Sequence, residues 1–163
     1  MTDPSRKAMD AALFLLKFRG RTEKEVAERL AKKGFEADLV AGTVTRLKEL
    51  NLVNDEVLAR QWAESGRRSG WGERRLLQAL WMRGVPRDII ARVLAEKPEE
   101  GASTEIDRAR DALARRVKRM KTAGMDRKTL YRRLGGFLAR QGYSPDVVRD
   151  ALERYFSSTP EEV

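Results

Sequence analysis

Leu30–Val40 (LAKKGFEADLV), Leu80–Ile90 (LWMRGVPRDII) and Leu138–Val148 (LARQGYSPDVV) decide the fold, because they share one frame. In each segment a glycine follows the first leucine by four positions, an aspartate comes four positions later, and two branched apolar residues come next. A period of about fifty residues is typical of one supersecondary unit used in tandem. The frame therefore predicts a helical unit that occurs three times.

Helix start and stop signals support this interpretation. Thr22 and Glu25 have the spacing of a capping box, in which the hydroxyl and the carboxylate each accept from a free backbone amide. The glycine of each frame follows an apolar stripe at helical spacing, and glycine readily adopts the left-handed conformation that ends a helix. No segment shows the alternation of a β-strand. We therefore expect an all-α protein, with three tandem three-helix repeats that form a curved, elongated array.

The boundaries between the repeats follow from the same signals. Residues 1–54 are predicted to form repeat 1, residues 55–97 repeat 2, and residues 104–156 repeat 3. Residues 98–103 are predicted to form a linker, and residues 157–163 a frayed acidic tail. The connections within a repeat are short, so each repeat should be a compact three-helix module.

Apolar residues at helical spacing indicate which side chains should be buried. In the first helix the stripe runs from Ala11 to Phe18 and includes Phe14. Trp62 and Trp81 stand at apolar helical positions, so we expect them in the core or between repeats.

Composition argues against catalysis. The chain has no His and no Cys, which removes the commonest general base, the thiol nucleophile and most zinc sites. It also lacks a phosphate-binding loop of the Gly-x-x-x-x-Gly-Lys-Ser/Thr type. We therefore predict a protein that is not an enzyme and needs no cofactor.

No apolar run reaches the roughly 20 residues that span a bilayer, and no signal peptide is recognisable, so a cytoplasmic location without membrane contact is expected.

Positive charge is concentrated in residues 106–140, where twelve Arg and Lys face three acids and the net charge is +9, equal to that of the whole chain. Such a block suits a polyanion, above all nucleic acid. Its first cations end one helix and its later ones begin the next, so both groups should face a common edge. The alternative is that they are solvated or balance a helix end. The candidate binding residues here are Arg115, Arg116, Lys118, Arg119, Lys121, Arg127, Lys128, Arg132, Arg133 and Arg140.

A second candidate surface surrounds the predicted loop Ser65–Gly72. Glycines on both sides of Trp71 would let a base or side chain stack on the indole, although packing between repeats is an equal alternative. Tyr131 could likewise stack on a base or pack in the core. The candidate residues of this surface are Arg67, Arg68, Trp71, Arg74, Arg75 and Arg83.

The chain as a whole resembles the RecX family of bacterial regulators. The residues that carry this resemblance are Thr22-Glu23, Lys33-Gly34, Asp55-Glu56, Trp62, Gly70-Trp71-Gly72, Arg83-Gly84-Val85, Phe137-Leu138, Arg140 and Gly142-Tyr143-Ser144. The departures are mild: Asn54 stands where an acid is common, Gln141 where a second arginine is common, and Tyr143 where Phe is usual.

The resemblance implies a regulator of the RecA recombinase that binds along the groove of the RecA filament on single-stranded DNA. Members inhibit strand exchange and ATP hydrolysis, interfere with filament growth, and restrain the RecA-dependent cleavage of the SOS repressor. Many also bind DNA by themselves. The expected partners are thus the RecA filament and single-stranded DNA, with duplex DNA as a further candidate, and the chain is expected to be a monomer.

Two other functions remain open from the residues. A three-helix unit can place a recognition helix in a major groove, so the chain could be a sequence-specific DNA-binding protein. It could also be a scaffold that binds an acidic protein and no nucleic acid.

Overall fold

In the computed structural model, residues 3–96, 103–121 and 124–158 are described, and they form nine α-helices and no strand. This confirms the predicted all-α fold. The helices are α1 (Pro4–Leu16), α2 (Glu23–Lys32), α3 (Ala37–Glu49), α4 (Asp55–Arg68), α5 (Glu73–Met82), α6 (Arg87–Ala95), α7 (Glu105–Lys118), α8 (Arg127–Gln141) and α9 (Pro145–Ser158).

Some predicted features lie outside the described residues. These are most of the linker, namely residues 98–102, and residues 159–163 of the tail. Ser157 and Ser158, which were assigned to the tail, belong instead to the last turn of α9.

The described chain divides into two compact units. Unit 1 comprises the described residues up to Ala63 together with Ala79–Ala95. Unit 2 comprises Glu64–Gln78 together with the described residues from Glu96 onward. Helices α4 and α5 therefore contribute residues to both units.

Unit 1 contains two hydrophobic clusters. In the first, α1, α2 and α3 pack against one another around Ala12, Val26, Leu30, Val40, Leu47 and Val53. The second joins parts of α4 and α5 to α6 around Ala59, Ala63, Leu80, Val85, Ile90 and Val93. The predicted capping box starts α2, where the Thr22 side chain accepts from the Glu25 N–H and the Glu25 carboxylate from the Thr22 N–H.

The predicted stripe of α1 was wrong at its two aromatic residues. The buried residues are Ala8, Ala12 and Leu15, which share one face at spacings of four and three. Phe14 is 60% exposed and Phe18 is 68% exposed, and their rings contact each other edge to face at 5.1 Å. Phe14 lies two positions from Ala12 and so points away from the buried face, while Phe18 lies beyond the end of the helix.

Unit 2 has one core, in which α7 and α8 both pack on α9. Its buried residues are Ala109, Ala112, Leu113, Leu134, Leu138, Tyr143, Ala151 and Leu152. Thr104 and Asp107 form a second capping box at the start of α7, and the Asp126 carboxylate caps α8 by accepting from the Thr129 N–H at 2.8 Å.

The three frame glycines end helices as predicted. Gly34, Gly84 and Gly142 have φ angles of +87°, +81° and +91°. A side chain at such an angle costs about 1–2 kcal/mol, which explains why glycine occupies all three positions.

Candidate nucleic-acid interface

A basic groove runs between the C-terminal end of α7 and one face of α8 in unit 2. It has a volume of about 590 Å³, and its lining is Arg116, Met120, Lys121, Arg132, Arg133, Gly136 and Arg140. Arg132, Gly136 and Arg140 follow one another at intervals of four, so they lie along a single face of α8. Gly136 lines the groove, and a Cβ there would lie 3.3 Å from an Arg140 nitrogen.

A second depression continues the groove past Arg116. It measures about 230 Å³ and is lined by Ser69, Gly70, Ala112, Arg115, Arg116, Arg119, Phe137 and Gln141. The Arg116 guanidinium lies 5.5 Å from the centre of the Phe137 ring, which positions it between the two depressions.

A third depression, of about 400 Å³, continues the groove past Arg140. Its lining is Arg74, Arg75, Gln78, Ala139, Arg140 and Gly142. The Arg75 guanidinium donates to Gln141 Oε1 at 2.7 Å and lies 4.2 Å from the Trp71 ring. Gln141, one of the departures from the RecX pattern, thus orients a cation from α5.

The first depression shares Arg116 with the second and Arg140 with the third, and we call their combined lining the basic strip. Its cations are Arg74, Arg75, Arg115, Arg116, Arg119, Lys121, Arg132, Arg133 and Arg140. Within the described parts of the chain, none of these nine side chains has a carboxylate within 4.0 Å. Their positive charges repel one another. A bound polyanion would therefore reduce this repulsion and also attract the cations directly.

Cations elsewhere in the described chain contrast with the strip. On α4 and α6 of unit 1, Arg92 pairs with both Glu56 and Asp88, at 3.2 and 3.1 Å. On α3, Arg46 pairs with Glu49 at 2.8 Å. Basic residues outside the strip are therefore often neutralised locally.

Six of the predicted cations, as well as Trp71, are not part of the strip. Arg67, Lys118 and Lys128 line none of its depressions. The remaining three have local contacts: Arg68 pairs with Glu64 at 3.0 Å, Arg83 lies in unit 1 with its guanidinium 3.9 Å from the Trp62 ring, and Arg127 lies 5.2 Å from the Phe156 ring.

The loop predicted at Ser65–Gly72 is shorter in the structure, because α4 continues to Arg68. Gly66 is buried inside this helix, where a Cβ would lie 2.4 Å from a Leu76 methyl and 3.0 Å from the Trp71 ring. Trp71 is half-buried between Gly66 and Arg75, so its indole serves packing in this structure.

The prediction of a buried Trp81 was wrong, since its side chain is 53% exposed. Leu76 and Leu80 occupy the inward positions of α5. Trp81 follows Leu80 directly, so its side chain points about 100° away from that of Leu80 around the helix. Trp62 does pack partly against the second cluster of unit 1. Tyr131 is 42% exposed, and its ring lies 5.6 Å from that of Phe156.

Sequence reasoning missed the neutral residues that shape the strip, chiefly Met120, Gly136 and Gln141. The spacing of Gly136 midway between Arg132 and Arg140 was a usable signal. Nothing in the sequence indicated that Gln141 would hold Arg75.

Tyr143 is a buried ionisable residue near the strip. Burial raises the pKa of Tyr143 to about 12, so its hydroxyl stays protonated and donates to the Gly70 carbonyl at 3.0 Å. Among the described residues, no cluster of acids is arranged to hold a metal ion. None of the described helices combines the length and apolarity needed to cross a bilayer.

Three family models match the chain in succession. They describe the first, second and third three-helix domains of RecX and match residues 8–47, 54–94 and 103–152.

Curated relatives agree with these models. A regulatory protein RecX from Mycobacterium avium is 38% identical over 154 residues, which cover 93% of this chain and 87% of the relative. The protein of the same name from Streptomyces coelicolor is 35% identical over 93% of this chain and 80% of its own length.

A solved structure supports the fold. RecX from Lactobacillus salivarius superposes with a TM-score of 0.82, covering 96% of this chain and 99% of that one, at 18% sequence identity.

Proposed function

Because the chain belongs to the RecX family of regulatory proteins, we propose that it binds the RecA filament on single-stranded DNA and inhibits its recombinase, ATPase and co-protease activities. It would thereby act in the regulation of DNA repair and of the SOS response, in the cytoplasm and as a monomer without catalytic activity of its own.

The observation that carries this proposal is the basic strip, in which nine cations from three helices and from the segment that follows α7 lie together without a described carboxylate partner. Eight of them are arginines, whose planar guanidinium can donate two hydrogen bonds to one phosphate. A nucleoprotein filament offers such groups at regular spacing. The strip therefore suits a long phosphate polymer better than a small anion.

The salt dependence of binding should report the number of phosphates involved. If about five phosphates of a single strand are contacted, the logarithm of affinity should fall with the logarithm of salt concentration at a slope of roughly −3.5. Three linked repeats would also raise the effective concentration of each contact, so no single contact needs to be strong.

The decisive experiment is RecA-catalysed ATP hydrolysis on single-stranded DNA with substoichiometric amounts of the chain. We expect turnover to fall. The strip variant Arg116→Glu, Arg132→Glu and Arg133→Glu should lose most of this inhibition, because three attractive charges become repulsive. A charge-matched control is available in Arg67→Glu, Lys118→Glu and Lys128→Glu, which changes net charge equally outside the strip.

Each outcome separates the candidate functions. Unchanged ATP turnover with the unmodified chain would reject inhibition of the filament. Equal losses in both triple variants would mean that net charge, and not the strip, determines binding. Footprinting on random duplex that protects one palindrome would favour a sequence-specific DNA-binding protein. Binding to an acidic protein without binding to DNA would favour the scaffold.

A further inference from the structure

The start of α2 in unit 1 is covered by the end of α5. The Thr22 hydroxyl donates to the carbonyl of Arg83 at 2.7 Å, and the Glu23 N–H donates to the Asp55 carboxylate at 2.9 Å. The side chain of Lys24 lies on Gly84, where a Cβ would be 2.4 Å from the lysine Cδ. A helix N-terminal turn from repeat 1 thus sits on a glycine helix end of repeat 2.

The same arrangement recurs in unit 2, one repeat further along. The N–H groups of Gly72 and Arg74 donate to the carbonyls of Gln141 and Gly142 at 2.9 and 3.1 Å. The Glu73 N–H donates to a Glu105 carboxylate oxygen at 3.1 Å. Arg75 covers Gly142, where a Cβ would be 2.4 Å from the arginine Cβ.

The two junctions share a physical logic. The first N–H groups of a helix have no partner in their own helix, and the last carbonyls lack one as well. At the second junction the two sets meet directly, because N–H groups of Gly72 and Arg74 donate to carbonyls of the α8 end. At the first junction the Thr22 hydroxyl is the donor to the carbonyl, and the Glu23 N–H is satisfied by Asp55. Both place the positive end of one helix against the negative end of another. In both junctions the residue after the glycine, Val85 or Tyr143, is only 2% exposed.

The third copy of this helix end, in repeat 1, is uncovered. We call Lys33, Gly34 and Phe35 the Gly34 surface. Gly34 has a similar left-handed φ of +87°, but within the described chain no heavy atom outside Lys33, Gly34 and Phe35 lies within 4 Å of the position its Cβ would take. Lys33 and Gly34 are exposed, and Phe35 is only partly buried, unlike Val85 and Tyr143.

We propose that the Gly34 surface is a docking site for the N-terminal turn of a helix that a protein partner supplies. The two internal junctions define the chemistry of this turn. It has a small cap residue such as Thr or Gly, a hydroxyl or N–H donor directed at the carbonyls of Lys33 and Gly34, and a Lys or Arg in its first turn that covers Gly34. In the two internal junctions an acid at the first position of a repeat, Asp55 or Glu105, accepts from an N–H of the docked turn. The corresponding position of repeat 1, the first residue of α1, is Pro4, which offers no carboxylate.

A second copy of the chain is a poorer occupant. The free helix start of repeat 3 is that of α8, whose cap is Asp126. Its carboxylate is already held by the Thr129 N–H and hydroxyl, both at 2.8 Å. Placed on the Gly34 surface, this carboxylate would face carbonyl oxygens and be repelled.

The test uses the full chain labelled with nitrogen-15 and a lactam-stapled helical peptide of residues 20–33, which presents the Thr22–Glu25 turn. We expect the amide resonances of Gly34 and Phe35 to shift and to saturate as the peptide is added. The resonances of Gly84 and Gly142 should not move, because their surfaces are covered within the chain.

Two controls keep the proposal falsifiable. A peptide with Thr22→Asp and Lys24→Glu keeps the staple but brings carboxylates to the carbonyls, and should bind about tenfold more weakly. The variant Gly34→Asn keeps the left-handed backbone, which asparagine tolerates, and should also weaken peptide binding about tenfold without changing the melting temperature by more than a few degrees.

Other results would overturn the proposal. These are the absence of a saturable shift at Gly34, equal binding of both peptides, and undiminished binding to Gly34→Asn. Sedimentation that shows self-association lost in Gly34→Asn would assign the surface to a second copy instead of a partner helix.

Discussion

Asp55 is a buried carboxyl at the first position of α4 in unit 1. Burial raises its pKa above the ordinary range, whereas the hydrogen bond from the Glu23 N–H opposes the rise. The raised pKa means that the folded chain binds the Asp55 proton more tightly than the unfolded chain does. The resulting contribution to stability is present at low pH and is lost as pH rises through the raised pKa.

Asp55→Asn should therefore change the pH dependence of stability in a defined direction. The amide keeps an acceptor for the Glu23 N–H but buries no charge. Relative to the native chain, we expect the free energy of unfolding of Asp55→Asn to increase as pH rises from below the ordinary Asp pKa through the raised value. Urea denaturation of both proteins across this range measures the difference.

Two other carboxyls with shifted pKa values do not affect the comparison between the native chain and Asp55→Asn. Hydrogen bonds from Thr104 and Thr129 lower the pKa values of Asp107 and Asp126, so these groups stabilise more as pH rises. Because both are present in native and variant chains, their effect cancels in the difference. A difference that is flat or falls with pH would show that Asp55 is not held against ionisation.

At the scale of the element, α5 shows that adjacent apolar residues of one helix can differ completely in exposure. Leu76 and Leu80 are 1% and 2% exposed, while Leu77 and Trp81, each one position later, are 51% and 53% exposed. The apolar positions in the sequence form a broad stripe, and only part of it faces the core. The pattern identified the helix correctly but not the width of its buried face.

Leu80→Ala and Leu77→Ala form a matched pair on this helix. Leu80→Ala should cost about 2–5 kcal/mol of stability, because it leaves a cavity in the second cluster of unit 1. Leu77→Ala should change the free energy of unfolding by no more than about 0.5 kcal/mol, since the Leu77 side chain is about half exposed to water. Thermal melts followed by circular dichroism compare them, and equal shifts in melting temperature would contradict the assigned face of α5.

At the scale of the whole molecule, charge placement matters more than net charge. Residues 106–140 hold a net charge of +9, yet the strip uses only part of this block and adds Arg74 and Arg75 from α5. Lys118, Arg127 and Lys128 belong to the block in the sequence but not to the strip. Linear clustering thus identified the region without identifying the surface.

The strip makes a quantitative prediction about salt. Binding of single-stranded DNA by the unmodified chain should weaken steeply with salt, and Arg116→Glu, Arg132→Glu and Arg133→Glu should reduce the slope by about 2 if each cation neutralises one phosphate. Fluorescence anisotropy at several salt concentrations measures this. The control Arg67→Glu, Lys118→Glu and Lys128→Glu should keep the slope nearly unchanged, and a parallel loss there would argue for diffuse attraction.

The sequence by itself determined the helical class, the threefold repetition, the capping box of Thr22 and Glu25, and the three glycine helix ends. These depend on local rules, since hydrogen bonds within one turn and the φ angle of one glycine need no distant partner. The family could also be identified from the sequence, because the resemblance to RecX extends along all three repeats.

Only the tertiary structure decided which apolar side chains are buried and which cations meet. Phe14, Leu77 and Trp81 look apolar and helical, but their exposure depends on where a neighbouring helix lies. The contact of Gln141 with Arg75 joins residues 66 positions apart, and no periodicity encodes it. The uncovered helix end at Gly34 is likewise recognised only by comparison with Gly84 and Gly142, which other residues of the described chain cover. This difference is a property of packing between elements and not of any one segment.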